Sequence, residues 1–503
     1  MVAYRVCWWQ RKAMMAARPT RRSLLALCLA LLTGCNQRSD VGPVVVSAIG
    51  PRPVLVDPAR NLLSGPTRLL LNSAAQGLVR FDAAGQIAPG LAERWIVIDN
   101  GMSYIFRLRE AEWADGSRVT AGQVVDGLRR QLADRSRNPL RPYLTAIDEI
   151  VEMTPQVIEV RLKRPRPDLL KLFAQPELAL TGDRVRGGSG PFRISPSGKN
   201  GVLLNPAFDP ARSASDDIEE PSPEQSVHLI GERAARAIVR FAERQSDLVS
   251  GGSFVDWPLL QFVTIAPANF RLDPAAGLFG LAITNREGFL ASADNRAALA
   301  QAIDRTALVS AFAPGWQTTE QILPESLDSA RAPALASWSA LSLADRQDGA
   351  RSRVRRWKAT HEGPLTVRIA LPSGPGATIL FGFVGAAFRS IGVEPRRVSL
   401  DAPADLRLID AVAPYDSARW YLATACQPCS ADAITALDAA RDADTLADRA
   451  QRIAEADALL SEDTAFIPLA RPLRWSLVAL RLRKWQGNAR AWHPLNQLRD
   501  ESR

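Results

Sequence analysis

Two short runs of alternating side chains, separated by a tripeptide that can hardly be anything but a turn, constrain the fold most tightly. Asp99-Asn100-Gly101 stands between Trp95-Ile-Val-Ile98 and Tyr104-Ile-Phe-Arg-Leu-Arg109. An Asn-Gly pair between strand-like runs reads as a tight hairpin connection. In the second run Tyr104, Phe106 and Leu108 fall on one face, and Arg107 and Arg109 on the other. Asp115-Gly116 makes a further turn. Thr120-Ala-Gly-Gln123 then fits a capping box, after which Val124, Val125, Leu128 and Leu132 recur at helical spacing. The expectation is strand, turn, strand, turn and capped amphipathic helix, inside a chain of 503 residues that is long enough for two or three domains.

The N-terminal end has a different character. Leu24–Leu32 is apolar but shorter than the roughly 20 residues a bilayer span needs, and Arg18, Arg21 and Arg22 precede it. That is the charge and length pattern of a signal peptide over residues 1–34, with Met14 or Met15 as plausible starts. The segment ends Leu32-Thr33-Gly34-Cys35, which resembles a bacterial lipobox. The resemblance implies that Cys35 carries lipid and tethers the protein to a membrane. Asn36, in place of aspartate, leans toward the outer membrane. Residues 1–34 also hold six basic side chains and no acidic one, so the net charge of +9 falls to +3 for the rest of the chain. An excess that small removes the main support for a nucleic-acid partner.

Cys7 and Cys28 belong to the leader, which leaves Cys426-Gln-Pro-Cys429. A C-x-x-C can be a redox motif, half a zinc site or a tight disulfide. Zinc would want two further ligands, and His228, His361 and His493 are scattered. A redox role would want the motif to open a helix after a strand, and residues 415–425 have strand-like composition. A structural disulfide in an oxidising compartment is the expectation. No enzyme constellation stands out. Gly187-Gly-Ser-Gly-Pro191 lacks the closing glycine of a nucleophile elbow, and no H-E-x-x-H occurs. Lys199 lacks the upstream glycine and the following Ser/Thr of a P-loop. The acidic pairs Asp216-Asp217 and Glu219-Glu220 lie in a Pro/Ser-rich stretch, 205–225, and read as solvated charge. No cofactor is expected.

Several blocks carry a resemblance to a known family. Gly77-Leu78, Phe81-Asp82, Pro89-Gly-Leu-Ala-Glu-Arg-Trp95, Tyr104–Arg109, Asp115-Gly116 and Thr120-Ala121 resemble, in order, the pattern of family 5 extracellular solute-binding proteins of ABC importers. Gln123 departs from it, since the family has aspartate there. Gly188–Ile194, Leu281–Val309 and Phe381–Leu400 are similar to three later family blocks, and Asp294 is a fair N-cap for a helix in the second of them.

The resemblance implies an α/β protein of the type II periplasmic-binding fold, with two α/β lobes plus an inserted third lobe. The first lobe would take 35–66, 185–268 and 473–503, the inserted lobe 67–184, and the second ligand-binding lobe 269–472. It implies a periplasmic, lipid-anchored monomer that captures a peptide-like or related solute by hinge closure. The solute would pass to a permease driven by ATPase subunits, with no catalysis by the chain itself. The alternative is a non-transport lipoprotein of the same fold, acting as scaffold, chaperone or redox module.

In peptide binders of this family an aspartate in a Trp-x-x-Asp-Tyr segment pairs with the ligand amine. A gapless match on Tyr415 and Leu422 puts Pro414 at the aspartate and Ala411 at the tryptophan, with Asp416 two residues on. Tyr415, Asp416, Arg419 and Trp420 are the expected ligand contacts, together with Asn285 after the strand-like Leu278–Thr284.

Overall fold

In the computed structural model the described residues are 42–166, 168–182, 187–207, 223–324 and 327–499. The leader, Cys35 and the acidic pairs at 216–220 lie outside them.

Strands whose two faces are both apolar need cover on both sides, and Val44–Ile49 is one. It sits near the middle of a seven-stranded sheet, parallel to Val227–Glu232 on one side and Leu248–Ser253 on the other. Gly201–Pro206 and Phe192–Ser197 extend the first side, and Arg474–Val478 and Phe270–Leu272 the second, all antiparallel. A five-stranded sheet has the order Glu394–Ser399, Thr366–Leu371, Leu406–Val412, Gly277–Ile283, Phe466–Ala470. Its first three strands are parallel, and Gly277–Ile283 runs against both its neighbours.

The hairpin expected around Asn100 forms. Ala92–Ile98 and Ser103–Leu108 pair across a turn in which Asp99, Asn100 and Gly101 all take positive φ, at 51°, 55° and 87°. Val157–Leu162 and Ile147–Thr154 complete a four-stranded antiparallel sheet. Tyr104, Phe106 and Leu108 are buried while Arg107 faces solvent. The capping box is complete. The Gln123 amide donates to Thr120 Oγ1 at 3.3 Å, and the Thr120 amide to Gln123 Oε1 at 3.1 Å. The same Oε1 accepts from Trp113 Nε1 at 2.9 Å. Glutamine thus does here what an aspartate at that position is too short to do: it reaches back to the cap and forward to a buried indole.

Two local expectations are corrected. Residues 415–425 are not a strand: Ala418–Ala425 is a helix. Trp420 and Tyr421 lend the segment strand-like composition. The buried set Ala418, Leu422 and Ala425, however, has helical spacing, and tertiary burial decides. Nor does Asp294 cap a helix. The helix is Ala293–Ala302 with Ser292 at the cap position, and Asp294 lies in its first turn. Leu299, Ala302, Ile303, Leu308 and Val309 recur at helical spacing but do not share one helix: the first ends at Ala302, and Asp304 accepts from the Ala307 amide at 2.9 Å and starts a second, Arg305–Ser310.

The largest continuous core joins the four-stranded sheet, through Phe106, Ile158 and Val160, to the helices Ala418–Ala425, Ala431–Asp442 and Leu446–Glu462, through Trp420, Leu437 and Ile453. The chain just past the strand Leu248–Ser253 meets the start of the helix Pro375–Ser390. There Gly376 lies so close to the chain at Phe254 that a Cβ would stand 1.9 Å from the Phe254 carbonyl oxygen. Gly376→Ala is therefore expected to lower unfolding free energy by about 1–3 kcal/mol, the usual cost of overpacking, as read from urea titrations of the two proteins.

Candidate functional site

The chain leaves the five-stranded sheet at Val412 and enters the helix at Ala418. The five residues between them face a segment 239 to 245 positions earlier in sequence. Here Pro414 offers a carbonyl that accepts from Gln175 Nε2 at 2.5 Å. Asp416 is held from two directions, by Lys171 Nζ at 2.5 Å and by Arg490, whose Nη1 also reaches the Ala413 carbonyl at 2.9 Å. Burial pushes the Asp416 carboxyl up, but the hydrogen bond from Lys171 and the charge and hydrogen bond of Arg490 outweigh it, and the group sits below the usual carboxylate range. The carboxylate nearest the expected amine site is thus already occupied by an ammonium of the protein itself.

Tyr415, Asp416, Arg419 and Trp420 are brought to one neighbourhood, and they divide in two. Tyr415 and Arg419 line a pocket with Tyr143, Arg166, Asp168, Leu172, Asp328, Ser417, Arg441 and Arg449. Trp420 turns into the core and packs edge-on against Tyr421 at 4.9 Å. Asn285 is not brought in. Gly277–Ile283 and Leu406–Val412 are antiparallel, so Asn285 follows the end beside Leu406, while Tyr415 follows the end beside Val412. At that far end Asn285 donates to Asp405 at 2.9 Å and accepts from the Glu287 amide at 3.1 Å.

Each wall of the pocket has a traceable origin. Tyr104, from the inward face of its strand, donates its phenol to the Arg166 carbonyl at 2.5 Å. Burial, with the nearby Asp168 charge, pushes that phenol up to about 12. Asp328 accepts from the Ala418 amide at 2.7 Å, capping the helix N-terminus, and pairs with Arg449 at 3.0 Å. Arg449 also donates to Ser417 Oγ at 2.8 Å. Tyr143 meets Tyr415 edge to face at 5.8 Å. Burial raises the Tyr415 phenol and the Asp168 carboxyl, and lowers Arg419 and Arg166, the last to about 10. The void is about 20 Å³ and partly open, room for a water or a small ionic head.

Lys171, Arg166, Asp328 and Arg449 were not read from the sequence. Arg449 had a signal: it shares the buried stripe Arg449, Ile453, Ala456, Leu460 of its helix, and a cation on an apolar face is unusual. Cys426 and Cys429 form a disulfide across the turn between the helices Ala418–Ala425 and Ala431–Asp442, with their Cα atoms 5.0 Å apart. A helix precedes the pair, and Ser430 caps the helix that follows. His228, His361 and His493 are far apart in sequence. They meet Ser197, Trp357 and Asp273 respectively. No cluster of ligands able to hold a metal occurs among the described residues.

With this geometry in view, comparison with known proteins gives one family. The model for bacterial extracellular solute-binding proteins, family 5, matches residues 86–336. A stretch of 81 residues is 41% identical to an Escherichia coli K12 protein described as probable deoxycholate-binding periplasmic protein YgiS, covering 14% of this chain and 15% of that one. A stretch of 119 residues is 33% identical to the periplasmic oligopeptide-binding protein OppA of the same organism, covering 20% and 22%. These sequence matches thus span under a quarter of each relative's length. The structure of Haemophilus influenzae OppA in complex with RPPGFSPFR superposes with a TM-score of 0.75 over 92% of this chain and 99% of that one, at 17% identity. At that identity the likeness speaks for the fold, the multi-lobed type II periplasmic-binding fold. The chain belongs to the family 5 solute-binding proteins.

The Asp416 cluster makes a prediction about acid stability. A carboxyl held low in the folded state contributes stability above its unfolded pKa and loses it as pH falls through the folded value. Asp416→Asn is expected to destabilise the protein at pH 7 by on the order of 1–2 kcal/mol, between an exposed and a buried pair. The difference from wild type should shrink as pH falls below about 4, the ordinary carboxylate range. Thermal melts between pH 7 and pH 3 check both.

Proposed function

We propose that this protein is the solute-binding component of an ABC importer, closing over a small organic solute and presenting it to a permease driven by ATPase subunits. The observation that supports this best is a charged, ring-lined pocket assembled in a family 5 fold from segments near 143, 166, 328, 415 and 449. Parts so distant in sequence can separate and reclose as bodies. In this reading the seven-stranded sheet, apart from its edge strand Phe270–Leu272, belongs to the first lobe (35–66, 185–268 and 473–503). The four-stranded sheet belongs to the inserted lobe (67–184), and the five-stranded sheet to the ligand-binding lobe (269–472). The protein works as a periplasmic monomer, tethered through lipid on Cys35, with an outer-membrane lean. It performs no covalent chemistry. No helix among the described residues is long and apolar enough to cross a membrane.

A second reading is favoured by two observations. Lys171 fills Asp416, and the void is about 20 Å³, well below the several hundred Å³ of ordinary ligand pockets. A non-transport lipoprotein of the same fold would have such a site.

Thermal shift separates the two. The full chain in detergent, unfolded and refolded to strip bound solute, is screened against di- to pentapeptides, blocked peptides, opines, murein peptides and nickel chelates. Transport predicts at least one hit, worth about 2.7 kcal/mol at a hundred times Kd and a few degrees in Tm. A well-folded protein that responds to nothing would favour the non-transport reading.

A further inference from the structure

The charges around the pocket do not balance. Arg449 is answered by Asp328 at 3.0 Å, Arg441 by Asp438 at 2.8 Å and Asp442 at 2.7 Å, and Asp168 by Lys171 at 3.4 Å. Among the described residues no carboxylate lies within ion-pair distance of Arg166 or Arg419. Arg166 donates to the carbonyls of Pro165, at 2.7 Å, and Arg441. Arg419 Nε has only the Leu437 carbonyl, at 3.3 Å. Arg449 adds a further donor: its Nε has no hydrogen-bond partner, on a side chain 6% exposed.

Carbonyl dipoles satisfy N–H groups but do not cancel charge. Two guanidinium groups drawn out of water near a third repel one another; Asp442 lends Arg419 a longer-range attraction, but no ion pair offsets the cost for either group. Burial first, then Arg449, Arg164 and Arg419, pull Arg166 down in the same direction. A planar fork of N–H donors matches the two oxygens of a carboxylate or phosphate. The remaining wall mixes apolar and polar groups: Leu169 and Leu172, Tyr143 edge-on to Tyr415, and the hydroxyl residues Thr145 and Ser417.

We propose that the pocket binds an oxyanion, the carboxylate or phosphate group of a small organic solute, between Arg166 and Arg419 with Arg449 Nε as third donor. This rests on the solute-binding reading and narrows it to solutes recognised by negative charge. The free amine has no role, since Lys171 already holds Asp416.

Isothermal titration calorimetry on the full chain in detergent, refolded free of solute and at constant ionic strength in chloride, tests it. The probes are N-acetyl-dialanine, its C-terminal amide and inorganic phosphate. The expectation is binding of the acid or of phosphate but not of the amide. Arg166→Gln and Arg419→Gln should each weaken that binding at least tenfold, and Arg419→Lys should restore part of it. The acid alone identifies a carboxylate solute, and phosphate a phosphate-bearing one. Equal binding of acid and amide, unchanged in the glutamine variants, overturns the anion site and leaves solute binding standing. Failure of both anions while a neutral solute from the thermal screen binds has the same meaning, whereas failure of every probe in both experiments removes both readings. If Arg166→Gln does not fold, the comparison of Arg419→Gln with Arg419→Lys decides.

Discussion

Charge withdrawn from water has to be answered close by, and the interior of this protein is arranged around that requirement. Asp410 and Arg474 meet at 2.8 Å where a strand of the five-stranded sheet passes one of the seven-stranded sheet. Arg296 and Arg286 share Asp463. Asp416 draws Lys171 and Arg490 onto one point, and so ties together segments more than 300 residues apart in sequence. Breaking such a pair leaves one charge stranded, which costs more than the pair contributes when whole. These contacts therefore specify how distant segments meet as much as they stabilise them. Against that background Arg166 and Arg419 stand out as neighbouring arginines in one pocket whose hydrogen bonds go to carbonyls alone.

What the sequence made legible was local. The hairpin at Asn100, the inward face of Tyr104 and Phe106 and the box of Thr120 with Gln123 each depend on residues within a few positions of one another. Turn chemistry, alternation and capping act at that range. The family blocks added the architecture. Errors came where two local signals competed. Trp420 and Tyr421 argued for a strand while Ala418, Leu422 and Ala425 argued for a helix, and burial against Leu437 and Ile453 settled it. Asp294 offered a helix start, but the capping bond in this region is made by Asp304.

The pocket was legible in half. Tyr415 and Arg419 could be reached because they flank a recognisable family segment. Arg166, Asp328 and Arg449 could not, because what makes them matter is proximity between residues 32 to 275 positions apart, and no periodicity carries that. Asn285 shows the converse. A strand end looks the same from either side in a sequence, and only the antiparallel pairing of Gly277–Ile283 with Leu406–Val412 shows that it points away.

The contact of Gly376 with Phe254 has a mechanical meaning. Closest approach here is fixed by the van der Waals radii of main-chain atoms, which do not change rotamer. The Gly376 amide also donates to the Val255 carbonyl at 2.9 Å, and the Phe254 ring is buried edge-on against Phe279 of the five-stranded sheet at 4.9 Å. A stop of fixed clearance, a hydrogen bond and an interlocked ring act together, so the junction works as a clamp and not as a sliding surface.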